Sequence, residues 1–386
     1  NKLKNTVLIF GAGKTGRGFA AHLAFLGGYD IVLIDKNRKL VADLKKEGQY
    51  HVQVLDNEEK SCTIHVSGVH PIADHSWHED FVQTSLAFTS VFGNNLEELA
   101  GYLALALDKR YTENPEQMLT IITCENLTNA AHFLKDRVLK NLGPEKEVWL
   151  SEYIGFSESI VFRTCLEATP NQSPLTIRAQ NFFELPCDGD AIKEELHVYG
   201  LKPLKNFSNQ LRRKIYTYNC INAVITYLGA KKGYTQLHEA GNDAEILQTA
   251  RKAANETAQA LVAEFGFDSR EQEEWTNAAF AKFRDRNIPD PIERNGADPV
   301  RKLSREDRLI GPALLALKHQ IYPEGLLEGI MTCFDYRDPN KNFKVADIIR
   351  EKGPDFVLQD ICGLSEEEEL FMLIREQILK KGLNEK

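Results

Sequence analysis

No apolar stretch in this 386-residue chain approaches the roughly 20 residues that a membrane-crossing helix requires. Its seven cysteines, at 62, 124, 165, 187, 220, 333 and 362, are scattered and odd in number, and no two are spaced as CxxC. That usage provides neither a disulfide framework nor a thiolate metal site, and it suits a reducing compartment. HxxxH and HExxH are absent, so nothing in the pattern calls for zinc. Cationic excess is missing as well: the net charge is −9, which argues against nucleic acid or an anionic membrane as the main partner. There is no internal repeat and no low-complexity tract beyond the acidic run at 366–369. Asn1-Lys2-Leu3-Lys4-Asn5 leads directly into a strand-like segment, so no signal peptide is expected and the cytoplasm is the expected location.

What the chain does have is concentrated in its first 35 residues. The apolar segment Thr6-Val7-Leu8-Ile9-Phe10 runs into Gly11-Ala12-Gly13-Lys14-Thr15-Gly16, then an apolar-faced helix, a second strand Ile31-Val32-Leu33-Ile34, and Asp35. GxGxxG alone is a weak signal. Strand before, helix after and an acid 19 residues beyond Gly16 make it a dinucleotide-binding fingerprint. Gly11 permits the tight turn, Gly13 lets backbone approach a pyrophosphate, and Gly16 lets the helix pack closely. Unpaired N–H groups at the helix start then face the phosphates.

Asp35 can accept hydrogen bonds from ribose hydroxyls and would repel a 2′-phosphate. At about 5 Å and an effective dielectric near 20 that repulsion is about 3 kcal/mol. NAD rather than NADP is therefore expected, with Lys36 and Arg38 read as solvated surface charges.

The first half alternates strand-like and helix-like segments, as in a doubly wound sheet. Strands are expected at His51 to Leu55, Cys62 to Val66, Leu86 to Ser90 and Leu119 to Thr123, with a helix from Leu96 to Leu107. Ligands bind past the carboxyl ends of such strands, so residues 91–95 and 124–126 belong beside the cofactor. From about residue 190 long helical segments take over. Arg251 to Phe265 should form a helix stopped by Gly266, Glu324 to Phe334 another, and Ser304 with Asp307 a capping box before Leu309-Ile310. The expected architecture is an α/β Rossmann-type domain over 1–190 followed by a mainly α-helical domain over 191–386, with a cleft between them.

Hydride transfer needs a group to move the hydroxyl proton and donors for the oxygen as charge develops on it. The segment from Arg212 to Gly229 is mostly apolar and aromatic from Ile215 onward, yet it carries Lys214, Asn219 and Asn222. On a regular helix Lys214, Asn222 and Asn219 would point to roughly 0°, 80° and 140°, a face suited to a pocket wall. A lysine drawn into an apolar cleft loses hydration, and its pKa falls from about 10.4 toward about 7 to 8, where a base is effective. A snorkelling lysine with two satisfied asparagines has the same spacing.

Phe10-Gly11-Ala12-Gly13-Lys14-Thr15-Gly16-Arg17-Gly18-Phe19, Cys124-Glu125-Asn126, Lys214-x4-Asn219 followed by Ala223 and Tyr227-Leu228-Gly229, and Arg301-Lys302-Leu303-Ser304 with Asp307-Arg308-Leu309-Ile310 occur in order. Together they resemble the polyol-specific long-chain dehydrogenase family, the mannitol dehydrogenase-like enzymes. The similarity runs from about residue 6 into the C-terminal region. It implies metal-independent, NAD-linked interconversion of a polyol and a ketose. By that resemblance Lys214 is the general acid/base, and Asn126 and Asn219 bind the oxyanion. Gly11, Ala12, Gly13, Lys14, Thr15, Gly16, Asp35, Val91 and Asn126 contact the cofactor. At one position this chain departs: the family reads Lys-x4-Asn-x2-His, and Asn222 stands where the histidine is expected. An asparagine donates a hydrogen bond but does not titrate near neutral pH.

Arg294, Arg301, Lys302 and Arg308 form a basic group in an acidic protein and suit the far end of an anionic substrate, unless Glu293, Glu306 and Asp307 neutralise them. The expected substrates are mannitol 1-phosphate and fructose 6-phosphate. Free mannitol and fructose, or a hexuronate, are siblings of that reading, and a non-catalytic NAD(H) sensor is the contrasting one. The pattern does not reveal an oligomeric state.

Overall fold

Val7, Leu8, Ile9 and Phe10 are an unbroken apolar run, and every residue of the strand Thr6–Phe10 is buried, as a strand covered on both faces of a parallel sheet must be. The computed structural model describes residues 5–385. Residues 1–4, on which the expectation about a leader rested, lie outside the described residues.

Eleven strands are present among the described residues: β1 Thr6–Phe10, β2 Asp30–Asp35, β3 Gln49–Val54, β4 Cys62–Pro71, β5 Leu86–Thr89, β6 Leu119–Thr123, β7 Ile154–Glu158, β8 Cys165–Glu167, β9 Ile177–Ala179, β10 Leu185–Asp188 and β11 Leu201–Leu204. Nine of them form one sheet in the order β7-β6-β5-β1-β2-β4-β3-β9-β8. From β7 to β4 all neighbours are parallel. The arrangement then breaks: β3 runs antiparallel to β4, and β8 antiparallel to β9. A short connection at 55–61 can only return β4 beside β3 as an antiparallel partner, since a parallel one needs a crossover. One apolar core covers each face of the sheet.

Contacts divide the chain into Asn1–Phe207 and Ser208–Lys386. Sequence reasoning put the change at 190/191, where the helical pattern begins. The β10–β11 pair instead draws residues 185–204 into the first unit, because β11 pairs in parallel with β10.

In the second unit Ala244–Phe265 ends at Gly266 in the left-handed conformation, φ 71°, and Glu324–Phe334 has the expected bounds. The expected capping box does not form. The helix Ile310–Lys318 has no side-chain cap; the Ser304 hydroxyl donates to the Arg301 carbonyl, and Asp307 Oδ1 accepts from the backbone and Nε of Arg308 at 2.7 and 2.8 Å. Charge pairing with the adjacent arginine outweighs capping there. No helix among the described residues is long and apolar enough to cross a membrane.

Candidate active site

In the first unit the turn after β1 is fixed by crowding. Gly11 has φ 102°, and a Cβ on it would lie 2.0 Å from the Ser90 carbonyl oxygen; a Cβ on Gly16 would lie 1.9 Å from the Gly11 carbonyl oxygen. Only glycine fits at either place. Two polar ties then set the loop between them. The Ala12 N–H donates to Asp35 Oδ2 at 2.7 Å, and the buried Arg17 Nε donates to the Ala12 carbonyl at 2.7 Å. Asp35 also accepts the Asn37 N–H through Oδ1 at 2.8 Å. It therefore braces the loop.

Gly11, Gly13, Asp35 and Val91 line one pocket. Lys14 is exposed and Thr15 half-buried at the start of the following helix. Both nearby cations are engaged elsewhere: Lys36 donates to Asn95 Oδ1 at 3.0 Å, and Arg38 pairs with Asp74 at 3.1 Å.

At the carboxyl end of the sheet the half-buried Glu125 accepts the Thr89 hydroxyl at 2.7 Å and the Val91 N–H at 3.0 Å through Oε2. Burial raises its pKa, and these bonds oppose the rise. Asn126, the next residue, is exposed. Phe92 follows Val91 with φ 68° and ψ 141°, a region that costs a non-glycine residue about 1–3 kcal/mol.

The second unit brings Lys214 and Asn219 into contact, where a regular helix would hold them about 140° apart. A five-residue π-helical turn, Ile215–Asn219, joins the helix Phe207–Lys214 to Cys220–Lys232. In π geometry the bonded backbone pair is i and i+5, so residues five apart stack. Lys214 Nζ accordingly donates to Asn219 Oδ1 at 2.8 Å. Because Oδ1 faces the amine, the two N–H donors of Asn219 point away from it.

The turn has a buried anchor. Gln272 Nε2 donates to the Thr217 hydroxyl at 3.0 Å, and Gln272 Oε1 accepts from Arg213 Nε at 2.7 Å. The Arg213 guanidinium lies 4.2 Å from the ring centre of Phe267 and 4.4 Å from that of Trp275. Neither the turn nor its anchor carries a periodicity signal.

Lys214 is half-buried, and its pKa is lowered to about 8, first by desolvation and then by the positive charges of Arg308 and Lys282. Lys302, 6% exposed, is lowered to about 8 by desolvation and by Arg308 and Arg301. Arg308 thus acts on both amines. Its Nε is paired with Asp307 at 2.8 Å. Lys302 donates to the Asn295 carbonyl, whereas Lys214 donates to the amide side chain of Asn219.

Of the remaining basic residues, Arg301 is exposed beside Lys302. Arg294 turns outward with 72% of its side chain exposed, paired with Asp290 at 2.6 Å, so the four cations do not form a single patch.

Asn222 stands three residues beyond Asn219 and so shares its helix face. Its Nδ2 donates to Asn295 Oδ1 at 3.1 Å, and its Oδ1 accepts the Thr226 hydroxyl at 3.2 Å. Asn295 in turn donates to Asp290 at 2.6 Å. These long-range partners were not legible in sequence, since nothing in residue spacing links 222 to 295.

Family models match almost the whole chain: the mannitol dehydrogenase Rossmann domain over residues 5–198 and the mannitol dehydrogenase C-terminal domain over 206–370. The chain belongs to the mannitol dehydrogenase family. It is 32% identical to the mannitol-1-phosphate 5-dehydrogenase of Bacillus subtilis, covering 96% of this chain and 99% of that one. It is 30% identical to the enzyme of that name from Thermoanaerobacter pseudethanolicus, over 96% of each chain. Among solved structures, D-sorbitol dehydrogenase in its substrate-free form gives a TM-score of 0.79 at 16% identity, covering 99% of this chain and 94% of that one. The Pseudomonas fluorescens mannitol 2-dehydrogenase complex with NAD and D-mannitol gives 0.70 at 13%, covering 98% and 93%. These two structures share the fold.

Proposed function

We propose that the protein interconverts mannitol 1-phosphate and fructose 6-phosphate using NAD. The observation that carries this reading is the Lys214–Asn219 pair: a base whose pKa is lowered by desolvation and by the charge of Arg308, hydrogen-bonded to an amide that has N–H donors to spare. The names of the full-length relatives point the same way. The first unit suits a dinucleotide without a 2′-phosphate, since Asp35 stands at the tip of β2 and both Lys36 and Arg38 have other partners. When bound, NAD supplies the hydride acceptor.

For polyol oxidation the neutral Lys214 amine takes the hydroxyl proton from the carbon that becomes C2 of the ketose. The hydrogen on that carbon departs as hydride. Asn219 Nδ2, with Asn126 as the second amide, donates to the oxygen while it carries negative charge. In ketose reduction the protonated amine returns the proton. Arg308 and Lys302 attract the phosphate, which holds the reacting carbon near the amine.

Initial rates with fructose 6-phosphate, fructose and fructuronate, each with NADH and NADPH, test the assignment. The phosphorylated ketose with NADH should give the highest kcat/KM by at least about tenfold. Arg308→Ala should raise KM for fructose 6-phosphate far more than for fructose. A preference for either unphosphorylated sugar rejects the substrate assignment. NADH binding without turnover on any of them supports the sensor.

Asn222 leaves Lys214 as the group on this helix face that titrates near neutral pH. Asn222→His should therefore add a second limb to the pH–rate profile between about pH 5 and 8, the range in which imidazole changes charge. An unchanged profile would remove residue 222 from the reacting group.

A further inference from the structure

Phe92 presents an apolar ring to solvent, 71% exposed, from a backbone conformation that favours glycine. Its surroundings hold it there. The Glu125 carboxylate accepts the N–H groups of Val91 and Phe92 on one side of the residue. On the other, the Phe92 carbonyl accepts the Asn95 N–H at 2.9 Å, while the Asn95 amide donates to the Val91 carbonyl at 2.7 Å.

An exposed phenyl gains nothing from burial in the free protein, yet it is kept in a costly turn by a half-buried acid. Strain sustained in this way points to function. Phe92 lines the same pocket as Asp35, Ile72, Leu99 and Tyr102, so apolar and aromatic side chains share that pocket with the acid at the tip of β2.

We propose that Phe92 packs against the adenine of the bound dinucleotide, and that the Glu125-braced turn sets the ring in place before the nucleotide arrives. The inference rests on the dinucleotide reading of the first unit. A flat heteroaromatic base is the chemistry that an apolar pocket with one exposed ring best recognises, because stacking covers both faces without requiring particular hydrogen bonds.

The test is binding of NADH by fluorescence titration and of 5′-AMP by calorimetry to the full chain and to Phe92→Ala and Phe92→Tyr. Alanine keeps a Cβ and thus the backbone cost, so the fold is not relieved or newly strained at this point. Expected is a loss of about 10- to 100-fold for both ligands in Phe92→Ala, the range of one base–aromatic stack, with near-complete rescue in Phe92→Tyr. Unchanged 5′-AMP affinity in Phe92→Ala overturns the proposal while leaving the dinucleotide site standing. A loss for NADH but not for 5′-AMP also overturns it, since the ring would then serve the nicotinamide end. If the unaltered protein binds neither ligand, the dinucleotide reading falls and takes the proposal with it.

Discussion

Lys214→Ala is expected to lower turnover about 10²- to 10⁴-fold, the usual contribution of a positioned acid or base, while NADH affinity stays within about twofold. The amine lies in the second unit and the glycine loop in the first, so substitution of one leaves the other's bonds intact. In the unaltered protein polyol oxidation should rise with pH through about 8 as the amine loses its proton, and ketose reduction should fall through the same point. Lys302 has a pKa lowered to about the same value and is the rival for the role. If the limb near 8 survives in Lys214→Ala and disappears in Lys302→Ala, the assignment passes to Lys302.

The same shift has a stability consequence of known sign. The folded-state pKa of about 8 lies below the ordinary lysine value of 10.5, so the unfolded chain binds the extra proton between those limits. Burial of the ammonium therefore costs stability in full below about pH 8, and the cost fades as pH rises toward 10.5. A shift of this size corresponds to about 3 kcal/mol. Lys214→Met, which keeps most of the volume, should be more stable than the parent at pH 7 and lose that advantage near pH 10.5 in denaturant melts.

Asn219→Ala is expected to cost about 10²- to 10³-fold in kcat, as loss of an oxyanion donor commonly does. It also removes the acceptor that orients the Lys214 amine 2.8 Å away. Asn219→Asp separates the two effects. It keeps the shape but places a carboxylate against the amine, which should raise the lysine pKa by about 1–3 units and move the pH limb upward while turnover stays low. If Asn219→Asp leaves the limb in place, the two side chains do not meet in the working enzyme.

The glycine loop's structure was readable because its determinants lie within 35 consecutive residues, where a run of buried apolar residues, glycine sterics and one acid dictate strand, turn and helix together. The central strands were readable for a related reason: β6 has the bounds that its apolar run announced, and β5 falls one residue short at its carboxyl end. The outer strands were less so. Whether β3 lies parallel or antiparallel to its neighbour is a matter of how the connection returns, not of its own residues.

The side chains of the helical unit show the same division. Helical periodicity put Lys214 and Asn219 on opposite flanks, and one π turn stacked them, stabilised from below by Arg213 and Gln272, which lie far apart in the chain. The basic residues near 300 looked alike in sequence, but folding turned Arg294 outward to Asp290 and buried Lys302 within reach of Arg308's charge. Residue order alone decided which groups this protein carries and where its glycine loop begins, because those depend on local sterics and patterning. Which groups meet, and which amines lose their hydration, depended on packing between segments tens of residues apart, since burial and partner distance set a pKa and neither exists until the chain has folded.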